Sequence, residues 1–276
     1  PEGAAIIGDK NNPPSIDYVG STVGKNGKNT WPTCITVNGA NALVDGVKVE
    51  CSGMTMGKFG GARGIFANEG ADNLTVRNCN AGKIDSFVML NGADNVTIDH
   101  CFAPVVNSYF LWNEKTSKNA TLSNSRCDDS VLEWTVRSYG GLEVENCSIT
   151  NVSNGVVKKG ALTFCQGSGT VENSTIVGGM RIGPLNKMVH GAEYINPKTL
   201  QIREHLTPQQ FAKAQTIYDE VSSLSVSNSH IEGWVQLNQN AKNVVFKNNS
   251  IHRPTAADGS FVVFSESVKI YSGVRK

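Results

Sequence analysis

Apolar and polar positions alternate with a period of two in segment after segment of this chain, and the segments share one frame. NLTVRNCNA from Asn73, NVTIDHCFA from Asn95, NATLSNSRC from Asn119 and GLEVENCSI from Gly141 line up with SGTVENSTI from Ser168, SLSVSNSHI from Ser223 and NVVFKNNSI from Asn243. The frame reads apolar, any, apolar, any, Asn, small, any, apolar. Its Asn column holds Asn78, His100, Asn124, Asn146, Asn173, Asn228 and Asn248, at spacings of 22, 24, 22, 27, 55 and 20 residues. The next column is Cys79, Cys101, Ser125, Cys147, Ser174, Ser229 and Asn249. A weaker copy, with Val47, Val49 and Cys51, comes earlier.

A period of two marks strands with one buried face. A repeat near 22 residues is too short for a helical hairpin. It suits one coil of a β-solenoid, in which each strand pairs with its counterpart one coil on. Asn tolerates the left-handed backbone that a sharp bend needs. Stacked about 4.8 Å apart, such side chains can bond to one another as a ladder. The small residue after the bend points into the interior, so Cys79, Cys101 and Cys147 are expected as buried thiols. His100 is expected as a structural stand-in for Asn.

A second strand precedes each of these: 64–68, 87–91, 109–113, 132–137, 161–166, 179–183, 234–238 and 261–265. Alternation turns Ile65, Val88, Phe110, Trp112, Trp134 and Val136 inward. It turns Phe66, Met89, Leu111, Glu133, Thr135, Thr163, Arg181 and Gln236 outward. A slip of one residue would invert the assignment. The 55-residue interval holds one insertion, about residues 184–223, with a helix over about 208–222. Thr207 is its N-cap, Pro208 its first residue, and Gln210 completes a capping box. Phe211, Ala214, Tyr218 and Val221 form its apolar stripe.

The pattern resembles the right-handed parallel β-helix superfamily typified by pectate lyases, over roughly residues 40–272. The resemblance implies an all-β, single-stranded parallel β-helix of about 8–10 coils in one domain, 1–276. It also implies that the strands before the bend form the sheet called PB1, whose outer face usually carries the substrate groove. The superfamily includes lyases, hydrolases, epimerases, phage depolymerases and adhesins, so fold alone leaves the activity open.

Composition narrows the function by exclusion. A net charge of +1 gives no support for a nucleic-acid partner. No apolar run approaches about 20 residues, so no membrane span is expected. Pro1 cannot be an initiator, so a removed upstream segment is expected, compatible with a secreted, periplasmic or cell-surface protein. The seven cysteines show neither CxxC pairs nor zinc-type spacing, and the odd number leaves at least one unpaired.

The middle coils carry a polar cluster on the outer PB1 face: Tyr109, Glu133, Arg137, Lys159, Arg181 and Gln236, with Lys83, Lys158 and His190 nearby. Asn113, Gln166 and Asn238 sit at strand ends as further substrate contacts. Two arginines and several lysines around one glutamate suit an acidic, uronate-containing polysaccharide. β-Elimination needs a cation on the carboxylate, a base for the C5 proton and an acid for the leaving O4. Arg137 and Arg181 are the candidate neutralisers, Lys159 the base and Tyr109 the proton donor. Hydrolysis needs two carboxylates across the scissile bond. Glu133, Asp85 and the pair Asp128–Asp129 are what the chain offers. The aspartate pair is also a weak Ca²⁺ signal, with an ordinary turn favoured. The non-enzymatic alternative is a glycan-binding surface β-helix, favoured by an outward strip of Phe66, Met89 and Leu111.

Overall fold

The computed structural model describes residues 2–23, 27–58, 60–114, 117–152, 160–165, 167–183, 204–212, 221–233, 235–237, 243–252 and 269–270. Among these, three parallel sheets contain ten, nine and eight strands, and almost nothing is helical. The chain visits the sheets in rotation, and each strand pairs with its counterparts one coil before and one coil after it, the end strands of each sheet with one such neighbour. This is the arrangement of a parallel β-solenoid. It begins earlier than the sequence frame suggests: Ala5–Ile7, Ser15–Asp17 and Thr33–Val37 already contribute one strand to each sheet.

The ten-stranded sheet carries the repeat frame and ends at the predicted bend. Every residue of the Asn column has positive φ, from 47° at Asn124 to 55° at Asn248, and His100 is among them at 50°. His100 takes the Asn role and holds Asp99 through Nδ1 at 2.7 Å. The expected ladder is mixed in this column. Asn146 donates to Asn124 at 3.4 Å, but Asn78 and Asn124 donate to Asp45 and Asp99. A continuous ladder runs instead at the entry to the same sheet. Asn73 donates to Asn41, Asn95 to Asn73 and Asn119 to Asn95, at 3.0, 3.3 and 3.1 Å.

The small column after the bend is buried from Cys79 to Asn249. It makes a ladder of its own. Ser125 Oγ accepts from the Cys101 amide, Ser174 from Cys147, Ser229 from Ser174 and Asn249 Oδ1 from Ser229, all at 2.9–3.1 Å. A hydroxyl thus satisfies an amide that the bend removes from the sheet ladder. All seven cysteines are free thiols, and only Cys34 is not fully buried.

The eight-stranded sheet is built from the strands that precede the repeat frame, and its register corrects part of the inward–outward assignment. Ile65, Val88, Leu111, Val136, Leu162, Met180 and Val235 form one column, and all are buried in the core. The outward column is Thr36, Phe66, Met89, Trp112, Arg137, Thr163, Arg181 and Gln236. Leu111 therefore points in and Trp112 out, the reverse of the expectation. Phe110 is in the core as expected, stacked on Phe87 at 5.3 Å. The strand expected at 132–137 is Val136–Ser138; residues 131–135 form a turn, from which Thr135 donates to the Thr150 carbonyl.

The insertion begins its helix where the capping box predicts. Thr207 Oγ1 accepts from the Gln210 amide at 3.3 Å, and Gln210 Oε1 accepts from the Thr207 amide at 3.0 Å. Residues 208–212 are helical, while 213–220 lie outside the described residues. Val221 opens the strand Val221–Ser227, so the helix ends before it rather than at 222.

Candidate functional site: a guanidinium layer on the eight-stranded sheet

Five of the predicted site residues meet on the outer face of this sheet. Arg137, Arg181 and Gln236 share its outward column, with Thr163 between the two arginines. Arg181 Nε donates to Gln236 Oε1 at 2.8 Å. Tyr109 lies one coil before Arg137, whose Nη1 donates to its hydroxyl at 3.0 Å. The Glu133 carboxylate acts on the Tyr109 phenol as well, raising it.

Arg137 is the centre of the arrangement and is only 1% exposed. Its Nη2 donates to the Tyr139 hydroxyl. Its guanidinium lies 4.7 Å from the ring centre of Tyr139, 5.7 Å from Trp112 and 5.9 Å from Tyr109. Aromatic faces and phenol oxygens replace the water this cation has lost. Arg181 repeats the theme more openly, with its guanidinium 5.0 Å from the Trp134 ring. Trp134, expected in the core, therefore belongs to the outer layer. The phenol of Tyr109 is held well above its ordinary range by burial, which outweighs the opposing charge of Arg137. Burial lowers Arg181 and raises the thiol of Cys165, which lies between the two arginines in interaction with both.

Asn113 is corrected. It is fully buried in the inward column, where Nδ2 donates to Ser138 Oγ and the Gly141 carbonyl, so it braces the coil and does not face a ligand. Lys83 is also not part of the cluster: it lines a cleft on the nine-stranded sheet, with Nζ on the Ser52 carbonyl. Lys158, Lys159, Gln166, His190 and Asn238 lie outside the described residues.

The carboxylates named for hydrolysis are occupied. Asp85 is buried and accepts from Asn107, Ser108 and Ser86 at 2.9–3.0 Å; burial raises it despite those bonds. Asn107 in turn binds the Gly57 amide and the Lys58 carbonyl, so this group pins the loop before the sheet. Arg126 clamps Asp128 with two nitrogens. Asp129 accepts from the Ser130 and Val152 amides. These are turn contacts, and among the described residues no three His, Cys, Asp or Glu side chains gather as metal ligands.

The sequence reading missed Trp112, Tyr139 and Cys165. Tyr139 was legible in principle, two residues beyond Arg137 on a strand whose next position faces the same way. Among the described residues the buried Trp112 Nε1 has no hydrogen-bond acceptor. No helix among them is long and apolar enough to cross a membrane. Compared with known proteins, the chain matches no family model, no curated protein and no solved structure.

Proposed function

We propose that this chain is a right-handed, pectate-lyase-like β-helix that cleaves a uronate-containing polysaccharide by β-elimination, outside the cytoplasm. Handedness follows from the strong preference of parallel crossovers. The observation that carries the chemistry is the Arg137–Tyr109 hydrogen bond of 3.0 Å, two coils from Arg181 in one outward column. Arg181, the less buried arginine, binds the sugar carboxylate and acidifies the C5 proton. A base takes that proton, for which Lys159 is the candidate. The C4–C5 double bond forms as the C4–O4 bond breaks, and Tyr109 gives O4 its proton. Arg137, enclosed by rings, positions Tyr109 rather than touching substrate.

The test is incubation with pectate, alginate and glycosaminoglycans, followed in the ultraviolet, where the unsaturated product absorbs. Tyr109→Phe is expected to lower kcat by about 100-fold, and Arg181→Gln to raise KM and lower kcat. New reducing ends without absorbance would transfer the case to a hydrolase. The competing reading is a glycan-binding module without catalysis, favoured by the burial of Arg137 and by the outward row Phe66, Met89 and Trp112. Binding without either product supports that reading.

A further inference from the structure

The nine-stranded sheet carries a second feature, away from the guanidinium layer. A cleft of about 420 Å³ opens on its outer face, lined among others by Met56, Lys83, Phe102, Pro104 and Val105. Phe102 stands in an outward column with Lys48, Asn80 and Arg126 on neighbouring coils. Phe102 is 36% exposed and so presents part of its apolar surface to the cleft.

The chemistry of the lining restricts what can bind. The sheet amides here are occupied between coils: Asn80 donates to Val47, Phe102 to Cys79 and Arg126 to Cys101, at 2.9–3.0 Å. Among the described residues, these rungs leave no open strand edge for an extended peptide to join. Recognition falls to side chains. Lys48 is paired with Glu50 at 2.7 Å, and Arg126 is clamped to Asp128. Among the described residues Lys83 makes no ion pair; its Nζ donates to the Ser52 carbonyl at 3.3 Å. Glu50, the one carboxylate of the lining, is held by Lys48 and Ser15, and the Arg126 guanidinium lies 5.8 Å from the centre of the Phe102 ring. The rest of that ring and the Lys83 ammonium fit a ligand ring with an apolar face and a negative charge.

We infer that this cleft is a second glycan-binding site, which takes a uronate pyranose with its apolar face on Phe102 and its carboxylate on Lys83. The inference rests on the acidic-glycan part of the proposed function and not on catalysis. The two sites lie on different sheets, so one polymer chain can be held at the cleft while another segment occupies the guanidinium layer.

The experiment is calorimetric titration of the full chain with oligogalacturonate, oligomannuronate and the methyl ester of the former, using wild type, Phe102→Ala, Lys83→Gln and Arg181→Gln. Phe102→Ala and Lys83→Gln are each expected to weaken one class of uronate site by about five- to tenfold. Arg181→Gln is expected to leave that class unchanged. Lys83→Gln is expected to erase the preference for free acid over methyl ester. Cleavage of a short oligosaccharide, if the chain is a lyase, is expected to be unaffected by either cleft variant. Unchanged affinity in Lys83→Gln, or loss of all uronate binding in Arg181→Gln, overturns the inference. So does a wild type that binds none of the three ligands. Loss of catalysis with retained cleft binding would count against the lyase reading alone. Lys83 is a surface side chain, so its variant decides the matter even if Phe102→Ala folds poorly.

Discussion

Arg137 is a cation in a place with almost no water. Two phenol hydroxyls and three aromatic rings surround it. A planar fork reaches two phenols from one plane while its face lies against the rings; an ammonium is a compact point charge without that geometry. Arg137→Lys is therefore expected to lower unfolding free energy by about 2–4 kcal/mol, since a single ammonium would not reach both phenols as the two guanidinium nitrogens do, while the charge stays buried. Urea denaturation measures this, and a loss under about 0.5 kcal/mol would show that the layer tolerates any cation. The residue was legible as a candidate from its place near the strand end, but its burial was not. In YFLWN both faces are apolar, so alternation of polarity carries no information about which side is core. That is why Leu111 and Trp112 exchanged places between expectation and structure.

At the scale of the coil, the bends do the organising. The repeat frame located the positive-φ residues because only a few side chains accept that backbone, which leaves a sharp trace in the sequence. The ladder partners left a weaker trace, since Asp and Asn alternate as acceptors in the bend column. The ladder at Asn41, Asn73, Asn95 and Asn119 escaped notice because the frame was anchored on the other end of the strand. Asn95 sits inside it, donating to Asn73 and accepting from Asn119 with φ at 57°. Asn95→Ala is expected to cost about 1–2 kcal/mol, from two lost hydrogen bonds and a left-handed Cβ. Asn95→Gly should cost less, because it removes the bonds but relieves the backbone. Equal urea midpoints for the two variants would mean that backbone conformation contributes nothing there.

For the whole molecule, the buried thiols and the bonded carboxylates set a pH window. Burial pushes Cys34 and Cys147 up to about 11. In the unfolded chain these thiols ionise near their ordinary value of about 8.5. Above that pH the unfolded state sheds protons that the folded state retains, so stability falls as pH rises toward 11. On the acid side, Asp45 is lowered chiefly by the Asn78 amide, and Asp99 is lowered because bonds from Asn124, His100 and Ser123 outweigh burial. Their contribution is present above the unfolded value of about 3.9 and is lost as pH falls below it. Urea midpoints are expected to be highest between about pH 5 and 8, and a midpoint still level at pH 10.5 would contradict the alkaline half.

Arg181 and Gln236 are 55 residues apart along the chain and 2.8 Å apart in space. The insertion between them leaves one rung and returns on the next, and Met180, Arg181 and Ile182 face Val235, Gln236 and Leu237 with no offset. The solenoid thus behaves like a ruler whose graduations ignore how much chain is threaded between two marks. New segments can be spliced in at that joint, or old ones exchanged, while Arg181 and Gln236 stay on adjacent rungs, within reach of one another.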